Sequence, residues 1–151
     1  MKEPAAEAPA LPPSLQRLWG MDPGSRPGQK PSLDVRRIAQ AAIGLADEGG
    51  LEAVSMARVA SSLGVTTMAL YRYVASKEEL LELMLEVGAG DPPPLEPDLG
   101  WREALTAWAH NLTRIYRAHP WAVEVPVPGP PRGPLRARMR CPSSSCARTS
   151  A

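Results

Sequence analysis

The sequence predicts an all-α protein: a three-helix head containing a helix-turn-helix, a connecting fourth helix and a partial C-terminal helical domain. Two patterns carry this. Apolar residues recur at three- and four-residue steps over Ser32 to Gly88 and again over Trp101 to His119, with capping residues and glycines at the ends of the runs. The 18 prolines cluster before Ser32, from Pro92 to Pro97 and from Pro120 onward. Because proline lacks an amide donor and breaks helices, those clusters mark tails and a linker.

Residues 1–31 are rich in Pro, Ala and Gly, with one small apolar patch at Leu15, Leu18 and Trp19. A segment with so little to bury is expected to be a flexible arm, ending in the cations Arg26 and Lys30. The first helix starts at Ser32 as N-cap, has Asp34 in its first turn, and lines Val35, Ile38, Ala39, Ala42, Leu45 and Ala46 along one face. Gly44 lies off that face, at a cost of about 1 kcal/mol relative to Ala. Gly49-Gly50 stops the helix. The second starts at Ser55, turns Met56, Val59, Ala60 and Leu63 inward and closes at Gly64, which can take a left-handed conformation. Thr66 or Thr67 caps a third helix running to about Val74, with Leu70 and Val74 facing the core. Ser76-Lys77-Glu78-Glu79 is a capping box that opens a fourth helix, with Leu80, Leu81, Met84 and Leu85 inward and Glu78, Glu79, Glu82 and Glu86 as its solvated face. Residues 92–100 form a stiff Pro-rich linker. The fifth helix fits Trp101 to His119, where Trp101, Leu105, Trp108, Leu112 and Ile115 make an apolar stripe in need of a partner and Pro120 ends the run.

Composition narrows the function classes. The net charge is +1 over 17 basic and 16 acidic side chains, and the segment 32–88 is itself acidic, with five of the former and eight of the latter. Attraction to phosphate must then come from where a few cations sit. The two cysteines, Cys141 and Cys146, lie in a Ser/Arg/Pro-rich tail without a nearby histidine and complete no zinc set, so no metal is expected. His110 and His119, nine residues apart, fall on roughly opposite sides of a helix and are not joint ligands. His110 reads as solvated; His119 reads as a helix-end charge or, alternatively, as a pocket residue. No cofactor is expected, because there is no Gly-rich phosphate loop, and no nucleophile with a base partner points to an enzyme. The N-terminus lacks the apolar run of a signal peptide and no stretch suits a bilayer, so a cytoplasmic protein without a membrane partner is expected.

The feature with functional content is the pair of short helices joined by Leu63-Gly64-Val65-Thr66. Two helices crossing steeply need a small residue where they touch, a permissive turn residue and apolar anchors on both sides. Ala60, Gly64, and the set Val59, Leu63, Val65 and Leu70 supply these. The run SMARVASSLGVTTMALYRYVASKEELLELML, with its aromatic-basic-aromatic Tyr71-Arg72-Tyr73 and the following Lys77, resembles the TetR family of transcriptional regulators, well over Ser32 to Asp91 and more weakly over Trp101 to Pro120. The resemblance implies a DNA-binding domain over 32–91, its helix-turn-helix at 55–74, and the start of an effector and dimerisation domain at 101–121. It further implies that the third helix lies in the major groove of a double-stranded operator. There Thr66, Thr67, Met68 and Ala69 stand at its N-terminal end and Arg72 one turn on. Arg72 reads a base edge, at about 1–3 kcal/mol of discrimination; Tyr71 and Tyr73 pack and reach phosphate; Lys77 and Ser55 contact the backbone from helix starts. Two alternatives stay open: one of the tyrosines is a core aromatic, or Arg72 is a solvated charge. Arg36, Arg37 and Arg58 read as solvated or ion-paired.

In the intact family form the resemblance implies a repressor that dimerises and responds to a small-molecule effector. Residues 122–151 depart from it. Beyond Leu135 the chain has no Leu, Ile, Val or acid, and Arg136, Arg138, Arg140 and Arg148 stand among Ser, Pro, Ala and Cys. With 14 Arg against three Lys and no Phe, this tail reads as a shifted frame of a GC-rich gene, or alternatively as a natural basic tail. On either reading it is expected to be disordered, and this chain is expected to dimerise poorly and bind DNA weakly. The competing readings are a protein-interaction module using Trp101, Trp108 and Trp121, or a non-functional remnant.

Overall fold

The computed structural model describes residues 11–21, 33–91, 100–126 and 132–134. Every regular element among them is helical: α1 (Pro13–Leu18), α2 (Val35–Gly49), α3 (Met56–Ser62), α4 (Thr67–Tyr71), α5 (Lys77–Ala89) and α6 (Trp101–Ala118), with 3-10 turns at Leu51–Ala53 and Pro120–Val123. The five expected helices are α2 to α6, and α1 is an addition to them.

The core is built around α2. Asp34 is extended, and its carboxylate accepts the Arg37 amide at 2.8 Å. Asp34 is therefore the cap and not a first-turn residue, as expected of a carboxylate placed where it can meet an orphan amide and the positive end of the helix. Ser32 lies outside the described residues. Val35, Ile38, Ala39, Ala42, Ile43 and Ala46 are buried, while Leu45 is half-buried beside them. Its principal neighbour is α5.

On α5 the fully buried apolar residues are Leu80, Leu83 and Met84, whereas Leu81 and Leu85 are only partly covered. Of the four acidic side chains expected on its solvated face, Glu78 is exposed and the other three are not. Glu79 accepts from Ser14, Glu82 pairs with Arg132, and Glu86 is only 1% exposed. The reason is that α5 is covered on a second side, by α1 and by residues 132–134. A Cβ at Gly133 would overlap the Glu86 carboxyl end, so the backbone there passes in contact with α5.

The segment 11–21 is accordingly not a flexible arm. Leu15 is 1% exposed within the common core, with Leu11 and Leu18 packed beside it, and the Trp19 indole N–H donates to the Arg132 carbonyl at 2.9 Å. A short helix with no core of its own can still complete another, since burying one leucine side chain is worth about 1.5–3 kcal/mol. Arg26 and Lys30 lie outside the described residues, as do residues 92–99, both cysteines and the four tail arginines.

α6 begins with the Glu103 carboxylate accepting the Gly100 amide at 3.0 Å. It stops at Ala118, one residue before His119, because proline disfavours helical backbone in the residue preceding it and His119 turns to φ −131° and ψ 74°. Its buried line is Ala104, Asn111 and Ile115, whereas Trp101, Leu105 and Trp108 of the stripe stay 70%, 52% and 38% exposed. His110 is exposed. Trp121 does not join that stripe: it is buried in the core, and its indole N–H donates to Asp47 Oδ1 at 2.7 Å. His119 Nδ1 lies 2.9 Å from the same oxygen, so this ring ties the end of α6 to α2.

Candidate nucleic-acid interface

Both helices of the motif start on hydroxyl caps. Ser55 Oγ accepts the Arg58 amide at 3.2 Å at the head of α3, and Thr66 Oγ1 accepts the Ala69 amide at 3.2 Å at the head of α4. Of the two candidate caps for α4, Thr66 fills the role and Thr67 is the first helical residue. Between the helices Gly64 stands at φ +68°, its amide donating to the Ser61 carbonyl and that of Val65 to the Ala60 carbonyl. This closes α3 in one residue and turns the chain sharply into α4. Met56, Val59, Ala60, Leu70 and Val74 are buried beneath. They fix the two helices to the body and leave the opposite side of α4 free.

The helical part of α4 is shorter than its apolar spacing predicts. It ends at Tyr71, although Val74 still reaches the core. Arg72 keeps helical backbone as the cap, and the chain then turns through Tyr73 to Ser76, where the Ser76 hydroxyl accepts the Glu79 amide at 3.1 Å and starts α5. The returning arm of the capping box is displaced by one residue, because Glu79 Oε2 accepts the Ala75 amide at 2.6 Å instead of that of Ser76.

Thr66, Met68, Tyr71, Arg72 and Lys77 are exposed, with Met68 at 75%. Thr67, Ala69 and Ser55 are half-buried. The residues from Thr66 to Lys77 are thus brought onto one projecting helix and the turn after it, while Ser55 stands at the far end of the motif as a cap. The tyrosine alternative resolves by packing: Tyr73 is the half-buried ring against the core, and Tyr71 projects. The Glu78 carboxyl beside Lys77 is held below the usual carboxylate range, first by its own backbone amide and then by the Ser76 hydroxyl, with a smaller pull from Lys77. Residues absent from the sequence reading also meet here. Arg17 and Ser14 of α1 touch the α4–α5 turn from 55 and 65 positions away, and no local pattern signals a contact at such separation. Among the described residues no group of His, Cys, Asp or Glu has the arrangement of a metal site, and no helix is long and apolar enough to cross a membrane.

A capped three-helix head with an exposed second helix defines a helix-turn-helix domain. Residues 38–84 match the bacterial regulatory proteins of the tetR family. The head of this chain belongs to that family. The chain is 46% identical over 125 residues to the HTH-type transcriptional repressor DrrR1 of Streptomyces coeruleorubidus, covering 80% of this chain and 46% of that protein. It is 33% identical over 106 residues to an HTH-type transcriptional regulator of Saccharopolyspora erythraea, covering 70% and 45%. Among solved structures it resembles apo ActR from Streptomyces coelicolor, with a TM-score of 0.63, 27% identity and coverage of 74% of this chain and 54% of that one. ActR in complex with (S)-DNPA gives a TM-score of 0.62 at 30% identity, with coverage of 70% and 53%. The chain therefore spans about half the length of the relatives it matches.

Proposed function

We propose that the chain is a sequence-specific DNA-binding transcriptional regulator of the repressor type, acting in the cytoplasm through α4. The observation that carries this is the outward face of α4 and its following turn. Thr66, Met68, Tyr71, Arg72 and Lys77 are exposed there, on a helix whose other side is locked by Leu70 and Val74. On this reading α4 enters the major groove, Arg72 bonds a guanine edge, Thr67, Met68 and Ala69 supply shape and methyl contacts, and Lys77, Tyr71, Tyr73 and the helix starts at Ser55 and Thr66 meet phosphates. The Tyr73 ring packs, so its share is the hydroxyl alone.

The exposed Trp101, Leu105 and Trp108 of α6 belong, in this reading, to the start of an effector and dimerisation domain. The ActR relative, solved with (S)-DNPA, supports a small-molecule effector for the full-length form. Pairing of two heads there serves two half-sites about 34–36 Å apart or a multiple of that.

The test is selection of bound sequences from a random DNA pool, followed by titration of the recovered site at several salt concentrations. Arg72→Ala is expected to relax the preference at one base pair by about tenfold or more. Lys77→Ala is expected to weaken binding evenly across sequences and reduce the salt slope by about one. Failure to enrich any sequence, or variants that bind as the parent does, would overturn the reading in favour of an interaction module working through the α6 stripe.

A further inference from the structure

The turn that carries Arg72, Tyr73 and Lys77 is held from outside the helix-turn-helix. Arg17, in the last turn of α1, donates from Nη1 to the carbonyls of Arg72 at 3.4 Å and Tyr73 at 3.1 Å. Its guanidinium carbon also lies 5.3 Å from the centroid of the Tyr73 ring. One turn earlier, Ser14 donates its amide and hydroxyl to Glu79 Oε1 at 3.2 and 2.5 Å, while the other Glu79 oxygen receives the Ala75 amide. α1 thus grips both sides of the α4–α5 turn. It is itself fixed, by Leu15 in the core and by the bond from Trp19 to the backbone of Arg132, whose guanidinium forks onto both Glu82 oxygens.

Helix α4 has five residues, too few to be stable without tertiary support. Carbonyls at the end of a helix lack intrahelical donors. A charged donor on two successive carbonyls therefore fixes the direction in which the chain leaves α4, and hydrogen bonds from a charged group are about twice as strong as neutral ones. The side chain of Arg72 departs from the same backbone that Arg17 holds.

We propose that Arg17 is a positioning residue for DNA reading: by bonding the backbone of the α4–α5 turn it sets the orientation in which Arg72 meets a base edge, without itself touching nucleic acid. This rests on the assignment of α4 as the reading helix. A fold can tolerate a displacement of a fraction of an ångström in this turn, but a bidentate contact to one base cannot. Specificity is then the property that α1 controls.

The experiment uses the full chain and the DNA site recovered from the random pool by the unaltered protein. Arg17→Ala is expected to weaken binding to that site about tenfold and to narrow the gap between it and a site altered at the base pair read by Arg72. The salt slope stays unchanged, because no phosphate contact is lost. Arg17→Lys, which keeps a charged donor for one carbonyl, recovers part of both. Should Arg17→Ala fail to fold, Ser14→Ala, which removes the hydroxyl bond to Glu79 and leaves the amide bond in place, carries the same expectation with a smaller effect. A salt slope lowered by about one would mean that Arg17 contacts phosphate directly, and would overturn the proposal. So would unchanged affinity and discrimination in a variant that melts like the parent. If the unaltered protein enriches no site, the reading of α4 falls and this proposal with it.

Discussion

Gly64 holds the left-handed conformation that the steep crossing of α3 and α4 requires, at φ +68°, and nothing lies within 4 Å of where a Cβ would stand. Two costs of a substitution therefore separate. There is no clash, only the strain of an L-residue with positive φ, about 1–2 kcal/mol. Gly64→Ala is expected to lower the unfolding free energy by that amount, measured by urea titration; an unchanged midpoint would mean that the turn relaxes to another conformation. Gly64 was legible in the sequence because its requirement is local, as were the caps Ser55, Thr66 and Ser76. Tyr71 and Tyr73 were not separable in the same way. Two residues apart on either side of the end of a short helix, their fates depend on where that helix stops, which the apolar spacing placed at about Val74.

At the level of the element, the start of α5 combines a hydroxyl cap on the Glu79 amide with the Glu78 carboxylate, held by its own amide and by the same hydroxyl. Ser76→Ala is expected to cost about 1 kcal/mol at neutral pH. Glu78 adds a pH dependence. Its folded-state pKa is lowered by its own backbone amide and by the Ser76 hydroxyl, so its contribution is present above the unfolded carboxylate value and is lost as pH falls through the lower folded one. Ser76→Ala removes one of the causes, so the difference in urea midpoint between parent and variant should narrow as the pH falls from neutral through the carboxylate range. A gap that widens in acid would show that the hydroxyl does not hold the carboxylate. Three acids of α5 also mark where periodicity stops informing. A pattern of leucines reports the face that meets α2, but Glu79, Glu82 and Glu86 meet α1 and residues 132–134, whose proximity no repeat encodes. The same blindness turned a docked helix, Pro13–Leu18, into an expected flexible arm: six residues show too little apolar surface to predict order until the core that receives Leu15 is known.

Across the whole molecule, the head and the end of α6 are joined at Asp47. One carboxylate oxygen receives the Trp121 indole at 2.7 Å and lies 2.9 Å from His119, and Trp121 is 2% exposed. Asp47→Ala leaves that indole N–H buried without its acceptor and is expected to cost about 1–3 kcal/mol, with a change in tryptophan fluorescence on unfolding. Asp47→Asn keeps a carbonyl oxygen and should lose much less. Equal stability of the two variants would exclude the shared acceptor as the link. Periodicity put His119 and Trp121 near one stripe, but the proline between them turns the chain back onto α2, leaving Trp101, Leu105 and Trp108 as the exposed remainder.

The bond from Trp19 to the Arg132 carbonyl spans 113 positions of the chain, and this bears on the order in which the molecule assembles. Contacts within the head are close in sequence, and domains generally fold as units while synthesis proceeds from the N-terminus. The head from α2 to α5 is thus complete, and Arg17 has its carbonyls within reach, before the residue that pins the far end of α1 has been translated. Until then the brace rests on the packing of Leu11, Leu15 and Leu18 and on Glu79, and a nascent chain acquires its reading helix earlier than it acquires the full restraint upon it.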